Sequence, residues 1–260
     1  MTKFSALPAE EQWKKVLIEG HKGIRAMRWV NGRLPSAPRC KLCNNPFAGV
    51  AGRIYSLIGQ KPSRKNPNMC SRCCEDLPSG GAEVDTAVLF ADVRGSTKLG
   101  EQTDPATFAA LMNRFYKAAT AVIIRYDGAL DKLVGDEVMA LFIPGMSGTE
   151  YRRRAVEAGV DLLRAVGYGT KEGPWLSVGV GVNAGVAYVG NVGGEGILDF
   201  TALGDTVNVA ARLQSIAEPG ELVVSEDIVE PGDELLAGGE RRVVRLKGHE
   251  APVSVVVRRP

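Results

Sequence analysis

Residues 86–97 read TAVLFADVRGST, and residues 132–142 read KLVGDEVMALF. In the first, an apolar run ends on Asp92 and passes into a Gly-containing turn; in the second, Gly135 and Asp136 separate two apolar runs. Short runs rich in Val, Leu and Phe that are bounded by turn residues predict buried strands. Two carboxylates at the tips of neighbouring buried strands are what a two-metal phosphoryl or nucleotidyl transfer site requires. Hard divalent cations, Mg²⁺ or Mn²⁺, take oxygen ligands and keep water and phosphate in the remaining positions. One aspartate at a strand end commonly caps a turn; the pair in these two contexts points to chemistry.

The turn after Asp92 carries Arg94, Gly95, Ser96 and Thr97. It joins the strand to a helix start, where successive backbone N–H groups can cradle phosphate oxygens. An ordinary Ser/Thr helix cap is the plainer reading of the same residues, and the two are compatible.

Outward from these stretches, the pattern from residue 83 onward alternates strand and helix. Strands are expected at 86–93, 129–133, 138–143, 176–191, 222–224, 241–246 and 253–257. Helices are expected at 105–126, with Phe108, Leu111, Met112, Phe115 and Ala119 on one face, at 150–166 and at 205–216. The fold class is α/β, an α+β sandwich with helices on a mixed sheet. No fixed-period repeat or low-complexity tract interrupts it.

A third stretch, TALGDTVNVAAR at residues 201–212, adds polar and cationic groups. Taken singly, Lys132 is a strand-edge charge, Asn208 a helix-face amide and Arg212 a surface ion-pair partner. Taken together, the three stretches resemble the signatures of the class III adenylate and guanylate cyclase catalytic domain. The resemblance covers about residues 84–259 and rests on three separated motifs that agree in order and spacing.

That resemblance implies a ferredoxin-like, palm-type catalytic domain and a role for each matching residue. Asp92 and Asp136 match the two metal-binding aspartates, so two Mg²⁺ or Mn²⁺ ions per site are implied. Lys132 matches the residue that reads the purine, and Thr201 falls where many adenylate cyclases carry an Asp that accepts from the adenine amine. Asn208 matches the ribose-orienting residue, Arg212 the one that stabilises the pentavalent transition state, and Lys247 a triphosphate-binding lysine. In the family the site forms between two catalytic domains, so a head-to-tail homodimer with ATP as substrate is implied. The chemistry agrees: a Lys only donates, which suits an acceptor nitrogen of adenine, whereas a Thr hydroxyl both donates and accepts and so discriminates less sharply than Asp. No side chain stands out as a general base.

The N-terminal part is of another kind. Residues 1–82 carry 14 Lys and Arg against 5 Asp and Glu, a net +9, while residues 83–260 carry 18 against 25, a net −7. This asymmetry suggests two modules, 1–82 and 83–260. The basic one could meet nucleic acid, an anionic surface or the acidic domain beside it, or be a merely solvated face. Residues 8–30 read as one amphipathic helix with Trp13, Val16, Leu17, Ile24 and Met27 at helical spacing, suited to docking or dimer contact. Residues 33–80 read as irregular, and the Pro-Ser-Gly-Gly-Ala stretch at 78–82 as a hinge.

All five cysteines lie in this module. Cys40 and Cys43 form one CxxC pair and Cys70 and Cys73 another, able to present four thiolates to Zn²⁺. An iron–sulfur cluster is the alternative, and Cys74 is either a substitute ligand or a free thiol.

No apolar run approaches the roughly 20 residues of a membrane span, and no secretory signal is evident, so a cytoplasmic location is expected. The leading functional expectation is an adenylate cyclase. Its rivals are a guanylate or pyrimidine nucleotide cyclase, a diguanylate cyclase of the palm type, and a nucleic-acid-binding zinc protein whose cyclase-like domain only dimerises.

Overall fold

The computed structural model describes residues 7–20, 22–34, 38–64, 69–75, 78–194, 197–228, 233–249 and 251–260. In chain order the elements are α1 (Ala9–Lys14), a π-helical turn (Lys15–Glu19), α2 (Lys22–Gly32), α3 (Gly49–Leu57), α4 (Ser71–Glu75), β1 (Gly80–Val93), α5 (Ser96–Gln102) and α6 (Pro105–Arg125). There follow β2 (Ala129–Val134), β3 (Glu137–Phe142), α7 (Pro144–Ser147), α8 (Tyr151–Ala165), β4 (Val178–Gly194), β5 (Ile197–Leu203) and α9 (Asp205–Ile216). The chain ends with β6 (Leu222–Ser225), β7 (Glu240–Val244) and β8 (Val253–Arg258). It divides into two compact units, one of residues 1–85, 143–149 and 186–204, the other of residues 86–142, 150–185 and 205–260.

In the second unit the strands run in the order β2-β3-β1-β4-β6-β8-β7. β3 is antiparallel to both β1 and β2, whereas β4 and β6 are parallel, so the sheet is mixed as expected. Side chains of a strand alternate between faces, and the core follows that rule. Ala87, Leu89 and Ala91 of β1, with Val138, Ala140 and Phe142 of β3, meet Phe115, Ala119 and Ile123 of α6 and Val156, Leu162 and Leu163 of α8. On the other face Val223, Val255 and Val257 meet Val209 and Leu213 of α9. Each large apolar side chain buried in these layers contributes about 1.5–3 kcal/mol. Helix α6 is well started: Asp104 accepts from the backbone N–H groups of Ala106 and Thr107, and Pro105 opens the first turn.

The first unit departs from expectation in three places. The single helix expected over 8–30 is broken. Gly20 adopts φ 70°, which no helix passes through, and His21 lies outside the described residues. Trp13, Val16 and Leu17 are buried as their spacing suggests, but beyond the break the fully buried residues described on α2 are the polar Arg28 and Asn31. The stretch 33–80 contains α3 and α4, which the scattered Gly and Pro residues concealed.

The expected hinge is not one. Gly80, Gly81 and Ala82 begin β1. The glycines serve a close backbone approach: a Cβ on Gly81 would lie 2.3 Å from the Val189 carbonyl oxygen, and one on Gly190 would lie 2.3 Å from the Gly81 Cα. In the same unit β5 pairs antiparallel with the end of β4, with Gly190 opposite Thr201.

Gly190→Ala must therefore push two backbones apart, at a cost of at least about 2 kcal/mol. Thermal melts should show it clearly destabilised, while Gly194→Ala, where a Cβ meets nothing within 4 Å, melts like the wild type. Equal melting of the two variants would refute the close approach.

Candidate active site and cysteine cluster

The site begins with a strand tip and a tight turn. Asp92 is the last residue of β1 paired with β3, opposite Glu137. Because side chains alternate, it points to the face away from α6 and α8. β2 and β3 are joined by the two residues Gly135 and Asp136, with Gly135 at φ 64°, a conformation that suits glycine at the start of a two-residue hairpin turn. The Asp136 carbonyl accepts from Val93 N at 3.3 Å, and Tyr116 Oη of α6 donates to the Gly135 carbonyl. The two aspartates expected to act together are thus held at adjacent tips by backbone pairing.

Their electrostatics are unfavourable in the absence of a cation. Burial, the Asp136 charge and a hydrogen bond shared with the Asp136 carboxyl push the Asp92 pKa up to about 6. Arg94 and Gln214 oppose that shift without cancelling it. Burial and the Asp136 charge also raise Glu137 and Tyr116. A half-buried group of hard oxygen donors with this excess of negative charge fits divalent ions of the Mg²⁺ or Mn²⁺ kind.

The turn after Asp92 differs in detail from a simple cap. Gly95, left-handed at φ 72°, is the N-cap of α5 and makes no side-chain capping bond, so Ser96 and Thr97 fall inside the first turn. The first-turn N–H groups lack carbonyl partners within their own helix, as at every helix start. Arg94 turns back: its Nη1 lies 3.7 Å from Asp92 Oδ2 and its Nη2 donates to the Gln214 carbonyl at the end of α9.

Lys132 sits on β2 just past an irregularity in the β2–β3 register at Asp131. Its Nζ is 3.4 Å from Asp131 Oδ1, and it remains about 40% exposed. Asn208 and Arg212 are both exposed on α9, four residues apart and hence on one helix face. Lys247 is exposed in the loop after β7, which His249 ties to the start of α9 through Asp205 at 3.5 Å. Thr201 belongs to the other unit, in β5, where it is buried. Asp92, Asp136 and Arg94 are thus neighbours, while Asn208 and Arg212 present their own exposed face. Gln214 and Tyr116 escaped the sequence reading. Each is an unremarkable helix residue until the fold brings it to the carboxylates.

The four cysteines converge. Cys40, Cys43, Cys70 and Cys73 are all buried, and their sulfur atoms all lie within 4.8 Å of one another. Cys43 Sγ and Cys70 Sγ are 3.8 Å apart, which is the edge, about 3.8 Å, of a tetrahedron with metal–sulfur bonds of about 2.3 Å. No disulfide joins them, and Cys74, also buried, stands outside the cluster. Burial works against a Cys40 thiolate, yet hydrogen bonds from the other three sulfurs hold its pKa well below the ordinary thiol value, while Cys43 and Cys73 are pushed up. A dication resolves that competition for protons.

The loop that carries the first pair is braced from α2. Arg28 Nη1 donates to the carbonyls of Lys41 and Leu42 at 3.0 and 2.8 Å, and Asn31 Nδ2 to that of Cys43 at 3.0 Å. These bonds explain why an arginine is fully buried where an apolar face was expected.

In divalent-free buffer the neutral variant Asp92→Asn should melt above the wild type at pH 8. An Asp raised to about 6 in the fold costs stability once it ionises, so the difference should shrink as the pH falls through 6 towards 4. A difference that does not vary with pH would show that burial and Asp136 do not raise the Asp92 carboxyl in the fold.

Residues 82–257 match the adenylate and guanylate cyclase catalytic domain, and the chain belongs to that family. Curated relatives include two uncharacterized proteins of Mycobacterium tuberculosis. One is 32% identical over 213 residues, 79% of this chain and 38% of its own; the other is 32% identical over 206 residues, 77% and 37%. The chain thus spans less than two fifths of the length of these relatives. Among solved structures it is similar to the guanylyl cyclase Cya2 (28% identity, TM-score 0.59, 68% of this chain and 93% of that one). It is similar also to the adenylyl cyclase CyaB from P. aeruginosa (29%, 0.57, 67% and 93%). Its mixed α/β architecture is that of the class III cyclase fold. No described helix is long and apolar enough to cross a membrane.

Proposed function

We propose that this chain is an adenylate cyclase that converts ATP into 3′,5′-cyclic AMP and pyrophosphate, at sites shared by two copies of the catalytic domain. The observation that carries the reading is the facing pair Asp92 and Asp136, with the Asp92 carboxyl pushed up to about 6 by burial and its neighbour. Two divalent ions held by this pair would activate the ribose 3′-hydroxyl and neutralise the triphosphate.

The other residues bind and orient. Lys132, a donor only, favours the acceptor nitrogen of adenine over the donor that guanine offers at the same place. Thr201 accepts from the adenine amine. Asn208 orients the ribose, and Arg212 holds a fixed cation against the charge that develops on the transferring phosphoryl group. Lys247 and the backbone of Arg94 to Thr97 receive the triphosphate. Asn208 and Arg212 are exposed on one face of α9, which supports a site completed by a second copy. That copy is a head-to-tail homodimer partner.

The cysteine cluster we read as a mononuclear zinc site. Four thiolates bound to separate irons of a multi-iron cluster stand further apart than four that share one ion, and the short sulfur separations favour the latter. A structural ion also suits a small module whose buried core includes its four ligands.

Incubation with each of the four ribonucleoside triphosphates and Mn²⁺ should yield cyclic AMP as the main product by mass spectrometry. Asp92→Ala or Asp136→Ala should abolish it, and Lys132→Glu should shift preference towards GTP. Cyclic GMP as the main product of the wild type would overturn the base assignment, and activity in the Asp variants would overturn the metal assignment. Elemental analysis of the purified chain should find about one zinc and no iron per chain; iron with acid-labile sulfide would refute the zinc site.

A further inference from the structure

The two residues between the first cysteine pair are Lys41 and Leu42, and Lys41 is not a surface lysine. Its side chain is only 6% exposed. Its Nζ donates to Asp199 Oδ1 at 2.8 Å and to the Phe200 carbonyl at 3.1 Å. Both acceptors belong to β5, and Thr201 is the next residue. Asp199 and Thr201 share a face of that strand, since side chains alternate. On the opposite face Phe200, fully buried, stacks on Trp13 with ring centroids 6.0 Å apart.

β5 needs such anchors. Among the described strands its partner is β4 alone, off the path of the main sheet. Opposite β5, β4 presents Gly190, Gly193 and Gly194. A glycine-rich partner specifies register weakly, and a slip of one residue would turn Thr201 to the other face. A buried cation that grips one carboxylate and one backbone carbonyl fixes the strand along its length. Its own position is set by the loop Cys40–Cys43, whose carbonyls are held by Arg28 and Asn31 and whose sulfurs meet at the cluster.

We propose that Lys41 is a positioning residue that couples metal binding at Cys40, Cys43, Cys70 and Cys73 to the placement of Thr201, so that loss of the ion loosens β5 and weakens recognition of the nucleotide base. The inference rests on the reading of Thr201 as a base contact. The coupling itself rests only on the contacts of Lys41. The cluster then acts as more than a staple: its occupancy sets substrate affinity and selectivity while leaving the carboxylate pair intact.

Hydrogen exchange of the peptide 197–203 in the full chain tests the coupling without any assay of turnover. In zinc-loaded wild type this peptide should be protected, and removal of zinc should speed its exchange at least severalfold. Lys41→Met, with its zinc retained by elemental analysis, should exchange there as fast as the zinc-free wild type, and Lys41→Arg should recover much of the protection. Asp199→Asn, which keeps an acceptor, guards against a misfolded Lys41 variant and should show a smaller change in the same direction. In the cyclase assay Lys41→Met should raise the KM for ATP and narrow the ATP:GTP preference, with kcat changed much less. Protection of 197–203 that is unchanged in zinc-loaded Lys41→Met would overturn the coupling. Loosened exchange with unchanged KM and preference would leave the clamp standing and remove Thr201 from base recognition.

Discussion

Two carboxylates held face to face at the ends of neighbouring strands are the constraint on which the catalytic unit turns. Asp92 and Asp136 repel each other, and half-burial denies them the water that would soften the repulsion. A fold tolerates such a pair only when backbone pairing leaves it no escape. Here the β1–β3 register and the tight turn at Gly135 do so, while α6 braces the turn through Tyr116. The strain is the reverse side of cation affinity: a pair that is costly when bare is stabilised most when an ion arrives.

The rest of that unit can be read as support for this pair. Alternation along β1 gives Ala87, Leu89 and Ala91 to the core under α6 and α8 and leaves Asp92 on the other face. Arg94, which lies nearest in sequence, spends its guanidinium on Asp92 and on the end of α9. It moderates the excess charge and links the strand tip to the helix that bears Asn208 and Arg212. Those two stay exposed on one face of that helix.

Much of this was legible in the sequence, and what was not has physical causes. Apolar runs with clear breakers placed β2, β3, α6, α8 and α9 nearly to the residue and β1 at its C-terminal end, though β1 starts at Gly80 rather than at the expected Thr86, because burial on one face imposes a period that survives in the sequence. β5 was missed because glycines surround it and its residues alternate weakly. The single helix expected over 8–30 failed at Gly20, since spacing cannot report a positive φ. Gly80 and Gly81 looked like a hinge because a glycine kept for close backbone contact and one kept for flexibility are written alike. The motif residues of the site were readable, but Gln214, Tyr116 and the inward turn of Arg94 depend on which elements the fold brings together. The cysteine spacing announced the convergence of four sulfurs; that Arg28 and Lys41 tie their loop to α2 and β5 did not show, because buried cations look like surface ones in a basic module.

The central claim is that the carboxylate pair gathers divalent ions around a nucleotide. Calorimetric titration of Mn²⁺ into the zinc-loaded chain with a non-cyclisable ATP analogue tests it most directly. The account predicts about two Mn²⁺ per catalytic domain, with binding reduced to the nucleotide's own weak chelation once Asp136 is replaced by Ala. Equal Mn²⁺ binding by wild type and the Asp136→Ala variant would contradict it.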